Sequence, residues 1–166
     1  MPNIVTLGLS KILGKASEPT KCDFSETDCT AFGLTYEDTA KMSQGDAEVQ
    51  EFYAEEEDDP IDTIEKAGKI TFKFSIMNPS VELLERLYGG EVVEDIFGYP
   101  DLVSTIEESV IIVPRKGLQF QVPRMKLTAK INGKFSKKGL LLIDVVGTIR
   151  KPKTSGLKKM YVKKVA

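Results

Sequence analysis

Gly68-Lys69-Ile70-Thr71-Phe72-Lys73-Phe74-Ser75-Ile76-Met77-Asn78-Pro79 decides the fold class. Ile70, Phe72, Phe74 and Ile76 fall on one side of an extended chain, and Thr71, Lys73 and Ser75 on the other. That period of two marks a strand with one buried face. β-branched and aromatic residues fill it, as a pleated, half-buried surface prefers. The pattern then changes at once to a helical one. Val81, Leu84 and Tyr88, with Leu83 and Leu87, form an apolar stripe at helical spacing. Asn78 is the expected cap and Pro79 the first helical residue, where its missing N–H costs nothing. Glu82 and Arg86 are expected to pair along this helix. Gly89-Gly90 stops it, so the helix is expected over residues 79–88.

Outward from this pair of elements, extended patterns dominate. Residues 4–13 read as a strand, and residues 15–30 as a loop that holds Cys22 and Cys29. Residues 35–42 alternate, Ser43-Gln44-Gly45-Asp46 supplies turn chemistry, and 47–53 resumes an extended pattern. A hairpin over 35–53 is expected from these runs. Residues 91–97 read as a further strand. Val110-Ile111-Ile112-Val113 looks buried on both faces. Leu118, Phe120 and Val122 alternate with Gln119 and Gln121, which places the two amides outward. Met125, Leu127, Ala129 and Ile131 alternate with Lys126, Thr128 and Lys130. Asn132-Gly133 is the favoured pair for a two-residue turn, and 140–149 is the return strand. The segments 118–122 and 125–149 serve equally as ordinary strands, as projections, or as edges that pair between subunits. The tail 152–166 is basic, with a last strand near Met160-Tyr161-Val162. Many strands and one short helix predict a mainly β fold: a single antiparallel sandwich or barrel over residues 1–166, with the helix flanking it. The loop 15–30 and the tail 152–166 are expected to be the less ordered parts.

The 166 residues, 41% hydrophobic, suffice for one domain with a real core. The net charge of −2 hides a segregation. Residues 1–114 carry 24 acids and 8 bases, a balance of −16; residues 115–166 carry 15 bases and one acid, Asp144, a balance of +14. The order of charges therefore predicts a dipolar molecule or strong pairing, within one chain or between copies.

Composition also excludes chemistry. With no His, the chain offers no His base, no Ser-His-Asp or Cys-His nucleophile and no His metal ligand. Two cysteines with six residues between them are not a CxxC and make a poor zinc site; they read as two thiols in a reducing compartment, with a disulfide or a metal half-site as the alternative. No basic-then-apolar leader opens the chain, and the longest apolar run, at 140–143, is too short to cross a bilayer. A soluble protein made in a cytoplasm is expected, with no membrane, metal or cofactor.

Two charged stretches remain as candidate sites. Glu55, Glu56, Glu57, Asp58 and Asp59 are contiguous and lack the spacing and glycine of a calcium loop, so they read as an exposed loop. Paired carboxylates for glycoside hydrolysis are weakly indicated in a chain without Trp. No nucleophile, base and oxyanion set stands out, which argues against an enzyme. Lys134, Lys137, Lys138, Arg150 and Lys151 head a basic C-terminal third that continues through Lys153, Lys158, Lys159, Lys163 and Lys164. On a small β-barrel such residues would bind nucleic acid, and this is the alternative reading. Only Phe135 and Tyr161 are interleaved with them for stacking. Pairing with the chain's own acids, or with a second copy's, is the stronger expectation.

Thr35-Tyr36-Glu37-Asp38-Thr39-Ala40, then Asp46-Ala47-Glu48-Val49-Gln50-Glu51-Phe52-Tyr53-Ala54-Glu55-Glu56, then Asp59-Pro60, then residues 70–79 and the short helix resemble the major tail (tail tube) proteins of phages and prophages found in Bacteroidetes. The likeness covers about residues 35–90. It implies a β-sandwich or barrel with one flanking helix, an architecture shared with type VI secretion tube proteins. It further implies hexameric rings that stack into a DNA-conducting tube in the virion tail, with no catalytic residue. The implied partners are further copies of the chain, a tape measure protein and a tail terminator, with DNA only as cargo. An acidic inner surface would let DNA pass by like-charge repulsion.

Overall fold

A computed structural model describes residues 3–16, 26–102 and 104–164. The strand expected at 68–77 is present as Ile70–Ile76, and the chain is mainly antiparallel β with one α-helix. In chain order the strands are β1 (Lys11–Lys15), β2 (Thr30–Ala31), β3 (Lys41–Gln44), β4 (Glu48–Tyr53), β5 (Pro60–Lys66) and β6 (Ile70–Ile76). Helix α1 (Val81–Tyr88) precedes β7 (Glu91–Val93), β8 (Ile96–Gly98), β9 (Ile106–Val113), β10 (Leu118–Gly133), β11 (Leu141–Ile149) and β12 (Tyr161–Lys164).

The main sheet runs β2-β1-β9-β10-β11-β6-β3, with β12 also on β10. Strand β10 is long enough to serve two partners along one edge: β12 pairs with residues 118–121 and β11 with 125–133. The ladder to β9 slips between Val122 and Met125, where Pro123 has no N–H to give. The Pro123 carbonyl instead accepts from Ser109 Oγ at 2.6 Å.

The sandwich or barrel is not confirmed, because no sheet closes on itself. One segment nevertheless bonds to strands near both ends of the path. Phe32 N–H donates to the Ile12 carbonyl at 3.3 Å, Tyr36 N–H to Ser75 at 2.8 Å, and Met77 N–H to Leu34 at 2.9 Å.

Alternation builds the core. Phe72, Phe74 and Ile76 of β6 face Ile143, Val145 and Ile149 of β11, Met125 and Leu127 of β10, and Leu83, Leu87 and Tyr88 of α1. Gly147 sits among them because a Cβ there would strike the Met125 side chain. Val110 to Val113 are all buried, as expected of a strand covered on both faces. Leu13, Ile111 and Val113 form a smaller cluster with Cys29 packed against it. Cys29 is half-buried, and desolvation pushes its thiol up; Cys22 and most of the expected loop at 15–30 lie outside the described residues.

Several expectations need correction. Helix α1 begins at Val81, and its cap is Ser80, whose side chain accepts from Leu83 N–H at 3.2 Å. Asn78 instead accepts from Leu34 N–H at 2.6 Å and anchors the crossing segment. Gly89 ends the helix with φ 77°, as expected. Arg86 does not pair with Glu82 but with Glu108. The hairpin is β4–β5 rather than 35–53; β3 pairs with β6 instead. Asn132 and Gly133 lie inside β10, opposite Leu142 and Leu141, so the turn is at 134–140. Gln119 and Gln121 are buried at 2% exposure each, because β12 pairs beside them in the sheet and Ile111 stands opposite Gln121.

The stretch expected as one strand at 91–97 is the hairpin β7–β8, turned by Glu94 and Asp95 at φ 49° and 61°. Side chains with a Cβ are strained there by about 1–2 kcal/mol per residue. The two-residue turn favours Asn-Gly. Glu94→Asn with Asp95→Gly should therefore stabilise the fold by about 1 kcal/mol, raising the melting temperature by about 2–4 °C in a thermal scan.

Candidate interaction surfaces

Strands β4 and β5 form a sheet of their own, and every residue in both is exposed. The reason lies in the sequence: both faces carry acids, so neither can be buried. Residues 48–66 hold nine acids (Glu48, Glu51, Glu55, Glu56, Glu57, Asp58, Asp59, Asp62 and Glu65) and one base, Lys66. The candidate acids 55–59 occupy the turn of this arm, as the expected exposed loop. Among the acids stand Val49, Phe52, Tyr53, Ile61 and Ile64, 41–60% exposed. Tyr53 donates to the Glu51 carboxylate, and that bond, ahead of the charge itself, raises the phenol's pKa. A lone two-stranded hairpin is marginal in water.

The second feature is the turn between β10 and β11. Residues 130–140 carry Lys130, Lys134, Lys137 and Lys138 and no acid. Phe135 at its end is 95% exposed, with Ile131 at 52% and Leu140 at 42%. Lys134 N–H donates to the Leu140 carbonyl at 3.3 Å, and Gly139 N–H to Ser136 Oγ at 2.8 Å, which gives the turn a defined shape.

Register places the two features at opposite ends of the sheet. The arm leaves from Gln44 and returns at Ile70, where Gly45 N–H bonds the Lys69 carbonyl at 2.9 Å. At the other end of β6, Ile76 stands opposite Ile143, next to the basic turn. Seven residues of β6 separate them, or about 20 Å of strand. Among the described residues, no acid at 55–59 and no base at Lys134, Lys137 or Lys138 enters a salt bridge.

The candidate bases do not gather on one surface. Arg150 and Lys151 lie beyond the far end of β11 from the turn, and its nine residues span about 30 Å. There Arg150 Nη1 lies 3.8 Å from Glu107 Oε1, and the Lys151 carbonyl accepts from Arg124 Nη1 at 3.1 Å. Arg124 also pairs with Glu107 and, with Arg150 and Lys153, lowers that carboxyl's pKa against its partial burial. Part of the charge segregation is therefore consumed inside the chain, and among the described residues none of it at 55–59 or at Lys134, Lys137 and Lys138.

Sequence reasoning also missed a more deeply buried ionic cluster. Glu108 is 4% exposed and takes Arg86 at 2.7–3.0 Å through Nε and Nη2. The same guanidinium lies 4.0 Å from the Phe32 ring centroid and donates to the Thr30 carbonyl at 3.2 Å. It ties α1 to β9 and to the crossing segment. A Glu beside a run of apolar residues was the available signal.

A cleft of about 1350 Å³ opens between residues 6–11 and 33–42, lined by Leu7, Leu34, Tyr36, Met42 and Phe120. Its titratable lining residues are Lys11, Tyr36, Glu37, Asp38, Arg115 and Lys116. Among the described residues, no group of three or more acids or cysteines is placed to hold a metal ion, and no helix is long and apolar enough to cross a membrane. No protein-family model and no curated protein matches the sequence.

Proposed function

We propose that this protein is a structural, self-assembling subunit of a phage or prophage tail tube, built into rings that stack into a DNA-conducting tube. The supporting observation is the placement of an acidic, apolar-bearing arm and a basic, apolar-bearing turn at opposite ends of one sheet. Among the described residues neither the acids at 55–59 nor Lys134, Lys137 and Lys138 enter a salt bridge, and about 20 Å of β6 keeps the two features apart. Two unlike surfaces at opposite ends make a heterologous contact, which propagates into a ring or a filament instead of closing as a pair. Exposed apolar residues on both features supply burial that a monomer lacks. The mainly antiparallel β fold with one helix supports the reading at the level of fold class. The virion tail is the location this reading gives, and further copies of the chain are its first partner.

The reading is tested by sedimentation velocity and negative-stain electron microscopy over a concentration series at low salt. Rings or tubes are expected. A monomer at every concentration would count against it.

A further inference from the structure

The main sheet has a second face, turned away from the core. Cross-strand register puts Lys126, Thr148, Thr71 and Ser43 in one row across β10, β11, β6 and β3. Thr128, Val146, Lys73 and Lys41 make the next row, and Lys130, Asp144 and Ser75 the third. Strands lie about 4.8 Å apart and alternate residues about 6.8 Å apart, so four lysines fall within a patch of about 15 by 15 Å.

The face carries four lysines against one carboxylate. Asp144 is the acid among these rows, and its two oxygens accept from Ser75 Oγ at 2.5 Å and Asn132 Nδ2 at 3.0 Å. Glu107, opposite Lys126 on β9, is held by Arg124 and Arg150. Among the described residues none of Lys41, Lys73, Lys126 and Lys130 has a carboxylate in salt-bridge range. Lys41 and Lys73 stand directly opposite each other, a pairing that costs stability in a sheet. A rule broken at an exposed position, with easy neutral substitutes, points to a ligand.

We infer that this face binds the phosphate backbone of duplex nucleic acid without reading its sequence. Lysines supply counter-charge, and the hydroxyls of Thr128 and Thr148, with one of the Ser43 and Thr71 hydroxyls that bond each other at 3.2 Å, supply neutral donors to phosphate oxygens. No aromatic residue stands in these rows, so base stacking on a single strand is not served. This surface differs from the basic C-terminal third: Lys41 and Lys73 come from the acidic part of the chain. It is also unlike the acidic inner surface expected of a tube, since its rows hold four lysines and one acid. The inference does not depend on the assembly reading.

The test is fluorescence anisotropy with a labelled 20-base-pair duplex of mixed sequence, between 50 and 200 mM salt. Four phosphate contacts predict a log–log salt slope of about −3.6, a loss of affinity of about 10²-fold over that range. K41Q/K73Q should halve the slope and weaken binding at 50 mM by at least about tenfold. The same variant should melt no lower than the wild type, because it removes a like-charge pair. K137Q/K138Q at the turn should leave the slope unchanged. Absence of binding at 50 mM, or a slope that follows the turn variant instead of K41Q/K73Q, would overturn the inference.

Discussion

Arg86→Met is expected to cost about 3–5 kcal/mol of stability. The methionine keeps much of the apolar volume over Phe32, which the guanidinium covers at 4.0 Å. It leaves the Glu108 carboxylate, 4% exposed, without its cation, and the Thr30 carbonyl without its donor. A buried ion pair contributes little against an apolar substitute, yet removing one partner strands the other's charge. The double variant Arg86→Met with Glu108→Leu should therefore recover a large part of the loss, a coupling that a double-mutant cycle reads directly. Urea unfolding followed by circular dichroism measures both. Domains of ordinary stability hold about 5–15 kcal/mol, so the single variant should be visibly close to unfolding. A loss under about 1 kcal/mol would show that Arg86 does not clasp α1 to β9.

Neutralising Glu55, Glu56, Glu57, Asp58 and Asp59 to their amides should act in the opposite way. The fold should keep its melting temperature, because none of these acids has an ion-pair partner among the described residues and all stand in water. Assembly should suffer. Complementary charges across a contact set its register and its rate of formation. The concentration needed for half-assembly should rise at least about tenfold at 50 mM salt, by light scattering. The difference should shrink at 1 M salt, where charges are screened within about 3 Å. Unchanged tubes in electron micrographs would remove these acids from the interface.

Where a strand buries one face, its sequence announced it. Strand β6 was legible through Phe72, Phe74 and Ile76, and the end of α1 through Gly89. Strand β5 was not legible, because Asp62 and Glu65 alternate with nothing buried: all seven of its residues are exposed. Without a buried face, alternation carries no hydrophobic signal, and the arm's true partner strand stayed hidden behind Pro60. Gln119 and Gln121 misled for the converse reason, since polar side chains are buried there and Gln119 Nε2 finds no partner among the described residues. Asn132-Gly133 has turn chemistry, but Leu141 and Leu142 extend the ladder past it and move the turn to 134–140.

The candidate site was half legible. The acids at 55–59 lie exposed on a turn, as their mutual repulsion and Pro60 indicated. The basic set divided, because Lys134, Lys137 and Lys138 precede β11 while Arg150 and Lys151 follow it. A linear run of charge cannot reveal which end of a strand it occupies. The cationic sheet face was invisible for the same reason: its lysines come from three separated strands and meet only through register.

Mixing two charge-swapped variants tests the head-to-tail account most directly. One carries Lys at positions 55–59, and the other carries Glu in place of Lys134, Lys137 and Lys138. Each alone presents like charges at both ends and should stay unassembled by sedimentation velocity. In a one-to-one mixture, the basic arm of the first meets the acidic turn of the second, and the reverse contact is restored as well. The account predicts rings or tubes in the mixture alone; assembly by either variant separately, or a mixture that stays monomeric where the wild type assembles, would contradict it.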